Sequence, residues 1–237
     1  MSLDELLEMA PRILDELTRE LFRRANVSML ADAKSQLTAC FQLGLRSASL
    51  MQGMAEVLHA PTEDSFEVLN RAAIEARDLL MHFRFDDQAT RNKVAYWFAG
   101  AKDNSWKADL TKIDEFLTKQ GAIGIQLADN WGRLSVLSHP TTYAATNSTV
   151  VIVDRITGRT PKVNMTHKRA DYLVGISRLI MATTYELPGW IPLGIEPARI
   201  PGVEPFSQLA EIIGSPILDG PLDNPLPAHS IRPPKKP

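Results

Sequence analysis

The chain has 237 residues, of which 44% are hydrophobic and 23% charged, and its formal net charge is −2. These values are ordinary for a globular protein with a sizeable core, and they exclude an overall basic field that would attract nucleic acid. The single cysteine, Cys40, excludes an intramolecular disulfide, and its helical apolar surroundings favour core packing over a nucleophilic role.

The N-terminal residues predict a cytoplasmic location. Asp4, Glu5 and Glu8 stand where a secretory signal would have a basic start followed by an apolar stretch. The longest charge-free run, residues 134–153, contains Pro140 and many Ser, Thr and Asn residues, so it does not predict a membrane span. We therefore expect a protein without a membrane partner.

The first part of the chain has the periodicity of helices. Ser2 and Glu5 form a capping-box pattern, and apolar residues at helical spacing follow as far as Leu21. Pro11 lies inside this pattern, so we expect the helix to kink or restart there. The same periodicity predicts further helices over about 29–59, 63–85, 88–101, 105–119 and 122–138.

The composition changes after Pro140. The β-branched run Val150–Val153, a Thr157-Gly158 turn and residues 159–163 predict a small β-hairpin within 149–164. Because Pro161 cannot donate to a central ladder, the second strand is expected at an edge. A further helix is predicted over about 166–186.

The C-terminal segment 188–237 holds 12 of the 16 prolines but keeps many apolar residues. Such a segment is too apolar for a free tail, so we expect an extended arm with one short helix at 207–213. The arm would lie on the body or on a neighbouring subunit, where it could also bind a protein partner. The overall prediction is a mainly α, multi-helix bundle over 1–187 followed by a Pro-rich C-terminal arm.

The predicted third helix carries a polar stripe formed by Arg71, Glu75, Asp78 and His82. Spacings of four, three and four place these side chains on one helix face. Two interpretations are open. In the first, the stripe is a solvated face with i,i+4 ion pairs, and in the second it is a polar cluster inside the bundle.

The second interpretation draws on the helix predicted over 122–138. There Ser135 lies on an apolar face, and His139 follows at the end of the helix. The pairing of Arg71-x-x-x-Glu75 with a later Leu134-Ser135-x-x-x-His139 resembles a group of uncharacterised bacterial all-helical proteins. Arg71, Glu75, Ser135 and His139 match this pattern, and they are the residues of the predicted polar cluster. The resemblance itself implies a helical bundle and no activity.

A second resemblance rests on Arg77, Asp78 and His82. An Arg, a polar residue and then a His after a short interval is similar to the motif of HEPN-domain proteins, helical dimers that include metal-independent ribonucleases. The resemblance implies that His82 is the general base, that Arg77 stabilises the developing phosphorane charge and that Asp78 orients a partner side chain. It also implies a homodimer that binds RNA.

Residues 155–169 contain five basic residues and no acid, which fits either phosphate contact or a solvated surface loop. The five are Arg155, Arg159, Lys162, Lys168 and Arg169. Glu56-x-x-His59 matches the spacing of di-iron bundles, but the second copy that such a site needs is missing from the sequence. We therefore expect no metal and no cofactor.

Two functional hypotheses follow. The first is a HEPN-like, metal-independent endoribonuclease of a toxin or defence system with Arg77, Asp78 and His82 as catalytic residues. The alternative is a non-enzymatic helical interaction or scaffold protein. Both are compatible with a homo-oligomer.

Overall fold

The computed structural model describes residues 2–59, 64–100, 110–121 and 165–213. Over these ranges the chain is 78% helical, with seven helices and no β-strand, which confirms the predicted mainly α fold. The helices are α1 (Leu3–Ala31), α2 (Gln36–Val57), α3 (Asp64–Phe83), α4 (Gln88–Phe98), α5 (Leu110–Lys119), α6 (Met165–Thr184) and α7 (Glu204–Ile213).

Helix α1 begins at the predicted capping box. The Ser2 hydroxyl accepts from the Glu5 backbone N–H, and the Glu5 carboxylate accepts from the Ser2 N–H. The helix does not restart at Pro11 but continues through it to Ala31. Pro11 is exposed, so water can satisfy the carbonyl that loses its helical partner.

The boundary between the first two helices lies later than predicted, because residues 29–31 belong to α1 and α2 begins at Gln36. A short polar turn separates them. The Asp32 carboxylate accepts from the Lys34 N–H at 3.0 Å, and the Ser35 hydroxyl accepts from the Thr38 N–H at 3.0 Å. These side-chain bonds replace helical backbone bonds and end one helix while capping the next.

Other helix boundaries also differ from the prediction. Helix α4, capped by Asp87, stops at Phe98, and Gly100 has the left-handed backbone (φ 71°) that commonly follows a helix end. Helix α6 stops at Thr184, and α7 begins at Glu204 rather than at residue 207. The predicted helix over 122–138 and the predicted hairpin within 149–164 lie outside the described residues.

The core forms where α2 packs against α3 and α1, and where α6 packs against α2, α3 and α7. It is built from the apolar faces of these helices, including Leu14, Leu17, Leu21, Phe41, Met51, Leu80, Ile176 and Ile180. Among the described residues no helix has the length and apolar character needed to cross a bilayer.

The described part of the predicted arm packs on the helices of its own chain. Trp190 and Phe85 form an isolated antiparallel bridge, which joins the arm to the end of α3. Six apolar side chains of this segment are buried in the core: Trp190, Leu193, Ile195, Ile200, Val203 and Phe206. Residues 188–206 therefore complete the core of the bundle.

Candidate functional site

The polar stripe of α3 divides into an outer half and a buried half. At the outer end, Arg71 and Glu75 form the predicted i,i+4 pair, with 3.4 Å between Nε and Oε1, and both side chains keep some solvent exposure. One turn further along, Asp78 and His82 are buried. The solvated-face interpretation is therefore wrong for Asp78 and His82, which are buried. The predicted cluster with Ser135 and His139 stays a prediction, because those two residues lie outside the described residues.

Arg77 and Asp78 form a buried ion pair. The guanidinium donates from Nε and Nη2 to Asp78 Oδ1, at 3.0 and 2.6 Å, and Arg77 is only 1% exposed. Burying either charge alone costs several kcal/mol, so each side chain depends on the other for its place in the core. The two opposite charges neutralise each other where both side chains are buried.

His82 is 6% exposed, and neither ring nitrogen is accessible to solvent. Its ring lies at 6.0 Å from the ring of Phe83, with an interplanar angle of 44°. A general base must reach the proton that it removes, directly or through one water molecule. In this conformation both imidazole nitrogens of His82 are shielded from solvent.

A pocket of about 260 Å³ adjoins His82, between the end of α3, the first turns of α4 and α5. Phe85, Ala89 and Ile113 supply apolar wall, and the remaining lining residues are His82, Asp87, Thr90 and Lys93. Asp87 Oδ1 accepts from the Thr90 N–H at 2.7 Å, so this carboxylate is engaged in capping α4. Its volume is that of a small ligand-binding pocket.

Arg84 is a buried polar residue that the sequence patterns did not indicate. It is fully buried, and it donates to the Ala182 carbonyl at 2.8 Å, to the Ile191 carbonyl at 3.2 Å and to Glu186 Oε2 at 2.9 Å. Its guanidinium carbon also lies 4.4 Å from the centre of the Trp190 ring. Burial lowers the pKa of Arg84 to about 10. The sequence feature that could have indicated its burial is the position of this arginine between two aromatic residues, Phe83 and Phe85.

Glu186 completes this contact by binding the arm with its second oxygen. Oε1 accepts from the backbone N–H groups of Leu193 and Gly194, at 3.2 and 3.3 Å. Arg84 and Glu186 together therefore join the end of α3, the end of α6 and the arm, and we call this pair the Arg84 clamp.

The predicted phosphate-binding residues are only partly described. Lys168 does not lie on the surface, because it is buried with its ammonium nitrogen 5.8 Å from the centre of the Phe66 ring. That placement keeps it from phosphate in solution and corrects the expectation for this residue. Arg169 forms an ion pair with Asp4 of α1, with 3.5 Å between Nη1 and Oδ1. Arg155, Arg159 and Lys162 lie outside the described residues, as do Ser135 and His139.

Cys40 is a core residue, as predicted. It is fully buried, and burial raises the pKa of its thiol to about 12, so the reactive thiolate is suppressed. In the ranges that the structure describes, no three His, Cys, Asp or Glu side chains are grouped closely enough to hold a metal ion.

No protein-family model, curated protein or solved structure matches this chain. The two resemblances to known families therefore depend on their motif residues alone.

Proposed function

We propose that this chain is a non-enzymatic helical protein that acts in the cytoplasm by binding a partner through its surface. One observation carries the proposal. The residues with catalytic chemistry, Arg77, Asp78 and His82, are occupied in packing and ion pairing within the core. A catalytic group has to contact its substrate. A buried ion pair such as Arg77–Asp78 instead fixes how its helix packs in the core.

The surface supplies a second argument for partner binding. The C-terminal third of α1 exposes several large apolar side chains, including Phe22 and Leu30. Exposed apolar side chains grouped near one end of a helix often mark a protein interaction site, because water contact is unfavourable for them.

A test of this proposal is an RNA cleavage assay in EDTA, with wild type, His82→Ala and His59→Ala proteins. His59 is an exposed histidine and serves as the matched control. We expect wild type to cleave no more RNA than a mock purification. Cleavage by wild type that disappears in folded His82→Ala and persists in His59→Ala would contradict the proposal.

The second candidate is a HEPN-like, metal-independent ribonuclease that works as a homodimer on RNA. The pocket favours it, since His82 borders this pocket together with Thr90 and Lys93. In this candidate His82 removes the proton of a ribose 2′-hydroxyl, Arg77 stabilises the phosphorane and Asp78 orients a partner side chain. It also requires that the end of α3 opens, because both ring nitrogens of His82 must reach solvent.

A further inference from the structure

The pocket beside His82 has an apolar wall that three helical elements build together. Phe85 follows the end of α3, Ala89 lies on α4 and Ile113 lies on α5. Phe85 also packs edge-on against Phe116 of α5, with the two ring centres 4.9 Å apart. Because this contact joins two sides of the wall, the pocket is already formed in the free protein, as is usual for small-molecule sites.

The polar side of the pocket belongs to one side of α4. Lys93 follows Ala89 by four residues and Thr90 by three, so at about 100° per residue the three share one side of the helix. Lys93 is only partly exposed. It therefore offers a cation beside an apolar wall, where the attraction for an anion is stronger than in open water.

The acidic residue of the pocket is engaged within its own helix. Asp87 caps α4, because its Oδ1 accepts from the Thr90 N–H at 2.7 Å, and the positive end of the helix dipole offsets its charge. The neighbouring Asp86 does not line the pocket, and it pairs with Arg91, with 2.6 Å between Oδ1 and Nη1. The charge balance of the pocket therefore favours an anion over a cation.

His82 contributes wall to the pocket rather than acid–base chemistry. It lines the pocket, yet both of its ring nitrogens are shielded from solvent. A ligand would meet no accessible base there, so the site suits binding rather than turnover. The volume of about 260 Å³ lies below the roughly 300–1,000 Å³ of pockets for drug-sized molecules, so the ligand has to be small.

We propose that this pocket binds a small monocarboxylate with an apolar tail. The carboxylate accepts hydrogen bonds from Lys93, and the tail lies against Phe85 and Ile113. The proposal goes beyond partner binding through the surface of α1, because it assigns a ligand of a different class to a different part of the chain.

Three probes separate the two features of this ligand. Hexanoate has the carboxylate and the tail, hexanol has the tail alone, and inorganic phosphate has the negative charge alone. Heteronuclear NMR of the nitrogen-labelled full chain measures their binding and locates it. Because a small ligand gains limited binding free energy, we expect hexanoate to bind with a Kd on the order of 0.1–1 mM. The other two probes should bind at least about tenfold more weakly.

The positions of the shifted signals are part of the same test. Hexanoate should shift the backbone amide signals of Ala89, Thr90, Lys93 and Ile113 most. Shifts confined to other parts of the chain, or hexanol or phosphate binding as tightly as hexanoate, would overturn the inference.

Replacing Lys93 tests the role of the cation. Lys93→Met keeps the apolar stem and removes the charge, so hexanoate should bind at least about fivefold more weakly while the affinity for hexanol changes by less than about twofold. Lys34→Met is the matched control, since Lys34 is exposed in the turn before α2. Equal hexanoate affinity in Lys93→Met and Lys34→Met would remove Lys93 from the site.

Filling the pocket tests the place of the tail. Ala89→Phe puts an aromatic ring into the pocket and should abolish binding of both hexanoate and hexanol. Ala95→Phe is the matched control, because Ala95 is also exposed on α4 but lies on another side of the helix. Thermal unfolding shows whether both variants fold. A folded Ala89→Phe protein that binds hexanoate as tightly as Ala95→Phe would contradict the proposed site.

Discussion

Arg84 and Glu186 are 102 positions apart in the sequence, yet Arg84 Nη2 lies 2.9 Å from Glu186 Oε2. The cation is fully buried, while the carboxylate is partly exposed at the surface and also binds the backbone of the arm. This contact links the end of α3 to the C-terminal segment, and it adds to the apolar packing that holds the arm in place.

Replacing Arg84 should loosen the arm. Arg84→Met removes three hydrogen bonds and leaves two carbonyl oxygens, of Ala182 and Ile191, without this donor. We expect a loss of about 2–4 kcal/mol in the free energy of unfolding, measured by urea denaturation. Arg91→Met, which breaks the exposed pair with Asp86, should cost less than about 1 kcal/mol. An Arg84→Met protein as stable as Arg91→Met would contradict the clamp.

The Arg77–Asp78 pair should behave as a unit. Asp78→Leu leaves a buried guanidinium without its carboxylate and should cost about 3–5 kcal/mol, whereas the double variant Arg77→Met/Asp78→Leu should recover most of that loss. Glu75→Gln provides a control at the partly exposed Arg71–Glu75 pair, where the expected loss is below about 1 kcal/mol. Chemical denaturation of wild type, Arg77→Met, Asp78→Leu and the double variant measures the coupling free energy between the two side chains. If the loss of stability in the double variant equalled the sum of the two single losses, the pair would not be coupled.

Replacing two glycines of α2 by alanine should change the free energy of unfolding in opposite directions. A Cβ at Gly44 would lie 3.1 Å from a Leu21 methyl and 3.2 Å from a Leu80 methyl, so Gly44→Ala should destabilise by about 1–3 kcal/mol. At Gly53 the nearest atom is 3.5 Å away, so Gly53→Ala should stabilise by up to about 1 kcal/mol through helix propensity. Thermal unfolding followed by circular dichroism measures both. If both substitutions changed stability in the same direction, the packing of α2 described here would be wrong.

Cys40 should make the protein less stable in alkali. The pKa of its thiol is raised from 9.0 to about 12 in the folded state, so between pH 9 and 12 the unfolded chain binds fewer protons. Stability is therefore fully present below pH 9 and falls as the pH rises, by about 1 kcal/mol at pH 10. Burial also raises the pKa of Tyr172 to about 12, which adds a loss of the same sign.

Urea denaturation at pH 8 and pH 10 measures this effect. The loss of stability between the two pH values should be smaller for Cys40→Ala than for wild type, because the variant lacks the thiol. If both proteins lost the same amount of stability between pH 8 and pH 10, Cys40 would not contribute to the pH dependence.

The sequence predicted the helical class, the capping box at Ser2 and the common face of Asp78 and His82, because each depends on residues close together in the chain. It did not predict which part of that face is buried. Periodicity fixes the angle of a side chain about its helix axis, but α3 is covered by α2, α4, α5 and α6, whose positions depend on tertiary packing. Arg84 escaped prediction for the same reason, since its acceptors Ala182, Glu186 and Ile191 lie far along the chain.

The order of synthesis gives the arm a further consequence. The ribosome makes α1 to α4 long before Trp190, Ile200 and Phe206, which fill the space beside the end of α3. Until residues 182–191 emerge, Arg84 has none of its three acceptors, and the nascent helices expose apolar surface to the cell. Translation must therefore proceed beyond about residue 206 before these side chains can complete the core.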